Sequence, residues 1–183
     1  MSDQYPATLN VEIDRDRLRN YLQMKGLLVW AIPFSVLGGL FGFARLVRDL
    51  EHGLAAHANA GSILAGNIAT GIGISLLIAL FAYLVFSHRL ASRFAASLKV
   101  TVEDAFLHVR YRTIVLCDRK LHFRSIVDYA VTQDFLMRYF GIFALQMATT
   151  AGGQNTNLVV PGVKDCFRMR DILADIDRLR ENR

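Results

Sequence analysis

Two long uncharged runs dominate the hydrophobic pattern of this chain, Gly26–Ala44 with 19 residues and Ala58–Ser87 with 30. An α-helix needs roughly 20 apolar residues to cross the ~30 Å hydrocarbon core of a bilayer. The pair therefore predicts a transmembrane helical hairpin over 26–87. Ahead of it, Leu9, Val11 and Ile13 alternate with polar residues, and Leu18, Tyr21 and Leu22 then take helical spacing. This predicts an interfacial segment over 1–25 that feeds the first span, with Tyr21 at headgroup level. Residues 88–97 read as a helical connector.

From residue 98 the period changes to two. Leu98, Val100 and Val102, then Leu107, Val109 and Tyr111, alternate with polar partners, which predicts a strand hairpin turning at Glu103-Asp104-Ala105. Short strands are predicted at Ile114–Cys117 and Leu121–Arg124, on either side of a polar turn, Asp118-Arg119-Lys120. Others are predicted at Ile126–Asp134, Ile142–Thr149 and Asn157–Val160. Phe135–Gly141 reads as a helical turn closed by glycine, and Ala151–Gln154 as a hairpin turn. After an N-cap at Asp165, Met169, Ile172, Leu173, Ile176 and Leu179 fall at helical spacing. The predicted fold class is an α+β membrane protein. A two-helix transmembrane hairpin precedes an antiparallel β-barrel or sandwich over 98–183, capped by a C-terminal α-helix.

Within the hairpin, Pro33 predicts a bend. Gly38 and Gly42 stand four apart, as do Gly61, Ala65, Ala69 and Gly73. Residues four apart share a helix face, and small side chains let membrane helices approach closely. Both stripes are candidates for helix packing, within one chain or between copies. Neither run holds an ionisable residue, which argues against a pump or proton-coupled transporter. Ser35, Asn67, Thr70 and Ser75 are the notable polar groups; Asn67 and Thr70 leave a small oligomeric pore or transporter component as the alternative.

Charge adds a direction. Residues 88–183 hold 15 basic and 10 acidic side chains, the whole net charge of +5. Four basic residues precede the first run and three (Arg89, Arg93, Lys99) follow the second, against Arg45 and Arg48 between them. By the positive-inside tendency this predicts a multi-pass membrane protein with both termini cytoplasmic. Cys117 and Cys166 then read as free thiols. A basic domain beside a bilayer favours anionic lipid, and nothing in the pattern resembles a nucleic-acid motif.

Three stretches carry a family likeness: LHFRSIVDY at Leu121–Tyr129, FLMRYFGIFALQMATTAG at Phe135–Gly152, and VPGVKDCFRMRDIL at Val160–Leu173. With the hairpin ahead of them, they make the chain resemble the bacterial pleckstrin-homology-like (YdbS-like, bPH2) membrane proteins over about residues 26–180. The resemblance implies a pleckstrin-homology-type barrel, two antiparallel sheets with a C-terminal helix at one end. Arg110 and Arg112 lie where such domains in eukaryotes often bind phosphoinositides, although the usual lysine–arginine pattern for that is missing. Fold alone does not give function.

No catalytic signature accompanies this. A nucleophilic serine needs a base and an oxyanion site, and neither Ser97 nor Ser125 has such a setting. His108 and His122 would need Cys117 or Asp118 to complete a metal site, and His52 with His57 lack partner ligands. The expectation is a non-enzymatic interaction or scaffold module without metal or cofactor. Its candidate lipid- or partner-binding residues are Arg110, Arg112, Arg119, Lys120 and Arg124. Phe135, Arg138, Tyr139 and Phe140 form a candidate interaction patch. Expected partners are membrane lipid, further copies of the chain, and a membrane or cytoplasmic protein, with no nucleic acid.

Overall fold

The computed structural model describes residues 8–51, 60–103, 106–150 and 156–181. The predicted turn residues 104–105 and 151–154, together with His52 and His57, lie outside them. Two compact units divide the chain: residues 1–22 with 90–183, and residues 23–89.

The first unit is built on two antiparallel sheets. One has the strand order β1 (Thr8–Asn10), β2 (Lys99–Glu103), β3 (Phe106–Arg112), β4 (Leu116–His122). The other is β5 (Ile126–Thr132), β6 (Ala144–Thr149), β7 (Thr156–Pro161). Alternation decides the inner face: Val100, Val102, Leu107 and Val109 are buried and pair as Val100↔Val109 and Val102↔Leu107. Leu145, Met147 and Val160 line the core from the second sheet. Helix α5 (Cys166–Glu181) packs on β5 and β6, with Leu173 and Ile176 buried. Among the described residues no ladder joins the two sheets, so the barrel is not closed. One corner is tied by the isolated bridge Ile13↔Val163, where Asp14 N–H donates to the Gly162 carbonyl at 2.8 Å and Lys164 N–H to that of Glu12 at 2.9 Å.

The N-terminal residues differ from expectation. They complete the strand domain. β1 pairs with β2 through Leu9↔Val102, and Val11 N–H donates to the Val100 carbonyl at 2.9 Å. Helix α1 (Arg15–Glu51) opens on Asp14, whose carboxylate accepts the Arg17 N–H. Its first turns bury Leu18 and Tyr21 completely in the core. Gly162, at φ 79°, sits under Leu18, where a Cβ would lie 3.0 Å from the leucine side chain; glycine answers both demands. The Tyr21 hydroxyl donates to Asp134 at 2.8 Å, so this ring is not at headgroup level. The alternation and helical spacing of this segment are real, but the surface they fit is a sheet edge and a core.

A second difference concerns the polar triplet Asp118-Arg119-Lys120. It forms the middle of β4, paired as His108↔Lys120, Val109↔Arg119 and Arg110↔Asp118. The two short strands expected around a turn are one strand, and the chain reverses earlier, at Thr113–Val115, where Thr113 N–H donates to the Val115 carbonyl. An edge strand tolerates charged side chains that a central one does not. Helix α4 (Phe135–Phe140) matches its predicted turn: the Asp134 carboxylate caps Met137 N–H at 2.7 Å, and Gly141 closes it at φ 62°.

In the second unit, α1 runs through Pro33 without interruption, and α2 (Ala60–Ala82) continues through a π-helical turn, Tyr83–Ser87, towards α3 (His88–Ser97). The stretches Arg15–Arg48 and Ala65–Ser97 are long and apolar enough to cross a membrane, by length and composition.

Leu18→Ala is expected to destabilise the strand domain by about 2–5 kcal/mol, as for other buried leucines, whereas Arg19→Ala, on the exposed side of the same turn, stays within about 0.5 kcal/mol. Near-UV circular dichroism of the full chain during thermal unfolding in mild detergent reads the difference. Equal effects would remove α1 from the core.

Candidate functional site

The five expected basic residues do not form one surface. Residues paired directly across antiparallel strands point to the same side. Arg110, Arg112 and Lys120 therefore share the outer face of the first sheet with His108, while Arg119 lies on the other face with Tyr111 and Cys117. Arg124 is exposed on the short 3₁₀ turn Phe123–Ser125. Two carboxylates sit within the outer face. His108 bonds Asp118 through Nε2 and lies 3.8 Å from Glu103, and Lys120 lies 3.6 Å from Glu103. Arg110 and Arg112 are exposed and make no ion pair among the described residues. The cationic character of this face is thus concentrated at the Arg112 end.

At that end a cleft of about 480 Å³ is lined by Arg93, Ala96, Ser97, Arg112 and Thr113, with no acidic residue. Ser97 fixes its geometry: its hydroxyl donates to the Arg112 carbonyl at 3.0 Å and accepts Arg112 N–H at 2.8 Å. Next to Arg93 and Arg112 in the chain, Phe94 and Tyr111 pack with tilted rings, their centroids 5.0 Å apart. Arg93, Ser97 and Thr113 were not among the expected site residues. Arg93 and Arg112 are 19 positions apart in sequence, and only the docking of α3 on the end of β3 brings them together. A larger cleft, about 730 Å³ between the N-terminal segment and β2, carries Glu12, Asp14 and Asp16 beside Arg15, Lys99 and Lys164, and the Lys164–Glu12 ion pair stands at its wall. That carboxylate holds the Lys164 ammonium above its ordinary pKa.

The α4 patch divides too. Phe135 and Tyr139 are 86% and 76% exposed, so they are not core residues of this unit; Arg138 is also exposed. Phe140 is half-buried, its ring edge-on to Tyr139 at 5.1 Å. Of the residues considered for metal, His108 meets Asp118, but among the described residues no third ligand joins them: Cys117 lies on the opposite face from His108, and His122 packs edge-on to Phe106 at 5.1 Å. Burial pushes the Cys166 thiol up to about 11. The Tyr111 phenol is raised first by its bond with Cys117.

In the second unit the helices meet along a seam of small residues. A Cβ on Gly42 would lie 2.5 Å from the Asn67 carbonyl oxygen, and one on Gly38 would lie 2.5 Å from that of Gly71. A Cβ on Gly26 would press on Ser87 at 2.9 Å, and Trp30 Nε1 donates to the Ser87 hydroxyl at 2.7 Å. Gly38 and Gly42 lie on this seam. The other stripe does not face them. Ala65, Ala69 and Gly73 are exposed, and a Cβ on Gly73 would meet no other part of the described chain within 4 Å; Gly61 belongs to α2. The face that meets α1 carries Asn67, Gly71 and Ser75. The face turned towards α1 is the one that carries an amide and a hydroxyl beside its glycine. Thr70 and Ser35 donate back to the Gly66 and Ala31 carbonyls of their own helices, each at 2.7 Å, so their hydroxyls are satisfied locally.

These features define a class: a two-sheet α+β domain with a terminal helix, exposed apolar and basic surfaces and two long apolar helices. The chain belongs to the bacterial PH domain family, whose match covers residues 35–176. No curated protein and no solved structure matches it. The matched region begins inside α1, so β1 and the buried Leu18 and Tyr21 lie ahead of it.

Gly42→Leu is expected to break the helix seam, because backbone atoms cannot yield as a side chain does; overpacking of this kind costs about 1–3 kcal/mol. Gly73→Leu is expected to be neutral. Emission of Trp30, the chain's single tryptophan, whose indole bonds Ser87 across the seam, reads it in full-length protein, and equal emission in both variants would remove Gly42 from it.

Proposed function

We propose that this protein is a non-enzymatic PH-like interaction module anchored in the bacterial cytoplasmic membrane by its two apolar helices, with the strand domain and both termini on the cytoplasmic side. One observation carries the reading. The whole apolar region, residues 23–89, is inserted between β1 and β2, and those two strands are hydrogen-bonded neighbours. A chain that leaves and re-enters one folded domain crosses a bilayer an even number of times. Two helices of spanning length meet that condition, and the seven-to-two distribution of Lys and Arg orients them.

The helix surfaces support this. Ile32, Leu40, Phe41, Leu77 and Phe81 are each more than 60% exposed. Only 11% of each apolar window is buried, far less than in the core helix of a soluble protein. An apolar surface of that extent is stable in lipid and costly in water. An anchor suits the spans better than a pore, since Asn67 lies on the face toward α1 and Thr70 is bonded within its own helix. Partner binding falls to the exposed residues of the domain, Phe135 and Tyr139 on α4 and Arg110 and Arg112 on β3, and self-association remains open to the exposed Ala65–Ala69–Gly73 face.

The full chain is the material for the test, because a fragment over 98–183 would lack β1, Leu18 and Tyr21. Expressed in bacteria, it is expected to remain in the membrane pellet after alkaline carbonate extraction. In spheroplasts, a membrane-impermeant maleimide is expected to label a cysteine placed at Leu54 and to reach Cys117 only after lysis. Recovery in the soluble fraction, or labelling of Cys117 from outside, would overturn the proposal.

A further inference from the structure

We infer that the cleft between α3 and the end of β3 is a headgroup site for an anionic phospholipid, and that the adjoining turn Ile114–Leu116 is a wedge that enters the bilayer interface. This rests on the membrane-anchored reading and names the ligand class of the domain.

Three observations meet at this place. The first is charge. Arg93 and Arg112 line the cleft with the hydroxyl residues Ser97 and Thr113, and among the described residues no carboxylate shares it. Two guanidinium groups offer planar donor forks suited to a phosphate diester. Glu103 and Asp118, which could have neutralised them, are engaged by His108 and Lys120 on the same sheet face. The second is the turn. Ile114, Val115 and Leu116 are 81%, 70% and 51% exposed, three consecutive large apolar residues at a strand connection. Water penalises such a tip, and none of the described residues of the first unit covers it. The turn is held firm, with Thr113 donating to the Val115 carbonyl through its N–H at 3.1 Å and its hydroxyl at 3.4 Å. An apolar tip next to paired arginines fits the boundary between acyl chains and anionic headgroups, where both find partners.

The third is reach. Arg93 follows Ser87, the last residue of the uncharged run, by six positions. Even fully extended, six residues span at most about 20 Å, so Arg93 is tethered to the end of the uncharged run by no more than that length of chain. An acidic protein segment would satisfy the arginines but would leave the three apolar side chains in water. A bilayer satisfies both groups.

The experiment uses the full chain in nanodiscs of phosphatidylcholine alone or with added phosphatidylglycerol. The protein carries Val115→Cys labelled with an environment-sensitive fluorophore, in a Cys117→Ser background. With phosphatidylglycerol, the emission is expected to shift to the blue and to be quenched by spin-labelled lipid. The shift should weaken as salt rises, since the Debye length shortens from about 10 Å at 0.1 M to 3 Å at 1 M. Arg93→Glu with Arg112→Glu is expected to abolish it. In a second arm the fluorophore sits on Thr113→Cys and the arginines are retained; Ile114→Ser with Val115→Ser is then expected to remove lipid quenching, without changing the near-UV circular dichroism of the domain. Emission that is solvent-like in both lipids, or equal in both, overturns the inference. So does a shift that an acidic peptide abolishes as the charge reversals do. Carbonate resistance of the same samples separates that failure from failure of the anchored reading: a protein that resists extraction yet shows no shift is anchored without a headgroup site.

Discussion

The pairing of β1 with β2 is the constraint on which the rest of the molecule depends. Thr8–Asn10 and Thr101–Glu103 are hydrogen-bonded neighbours, yet some 90 residues and the entire apolar region lie between them. Closing a loop of that length has an entropic cost that rises only slowly with length. Several groups hold it shut. The backbone bond from Val11 to Val100, burial of Leu18 over Gly162, the Tyr21–Asp134 hydrogen bond and the Ile13↔Val163 bridge all act on the same corner. The helical hairpin is therefore an insertion into a folded domain, with both of its ends fixed in one sheet. Asp134 connects this corner to the exposed surface as well, because its carboxylate also caps α4, which presents Phe135 and Tyr139.

A comparable economy governs the second unit. The two apolar helices bury little of their surface, and close packing and polar contacts hold them together. The seam shows both: glycine opposite carbonyl oxygen at Gly38 and Gly42, and an indole-to-hydroxyl bond from Trp30 to Ser87. Gly38, Gly71 and Gly42 lie so close that a methyl group on any of them would meet backbone atoms of the facing helix. With the seam satisfied, Ala65, Ala69 and Gly73 are turned outward, a second surface of small residues with no partner among the described residues.

Period and length made most of the fold legible in the sequence. The two apolar helices, the alternating strands β2 and β3, the turn of α4 with its Asp134 cap, and the amphipathic α5 all follow from local pattern. What escaped was decided by distant partners. Leu9, Val11, Leu18 and Tyr21 carry the right spacing, but spacing does not say whether the apolar face meets lipid or a core. Asp118-Arg119-Lys120 has turn composition, yet its cross-strand partners His108 and Arg110 and its edge position make it a strand. The candidate surfaces were only partly legible for the same reason. Arg110 and Arg112 share a face because alternation fixes that, whereas Arg119 takes the opposite one once β4 is continuous, and Arg93 enters only through the docking of α3.

The distribution of carboxylates on the first sheet turns an ordinary basic count into a directed surface. Residues 88–183 carry 15 basic and 10 acidic side chains, too even a balance to make a whole domain cationic. Strand register sorts them. Glu103 lies opposite Phe106 and Asp118 opposite Arg110, within reach of His108 and Lys120, so the hairpin end of the face is internally neutralised. Two positions along β3 from His108, Arg110 has no such partner among the described residues, and two further on Arg112 meets Arg93 across the cleft. Exposed ion pairs of this kind add little stability. Their consequence is spatial: by engaging the acidic groups at one end, they leave the positive field at the other, beside the apolar turn and next to the segment that leads back to the second helix.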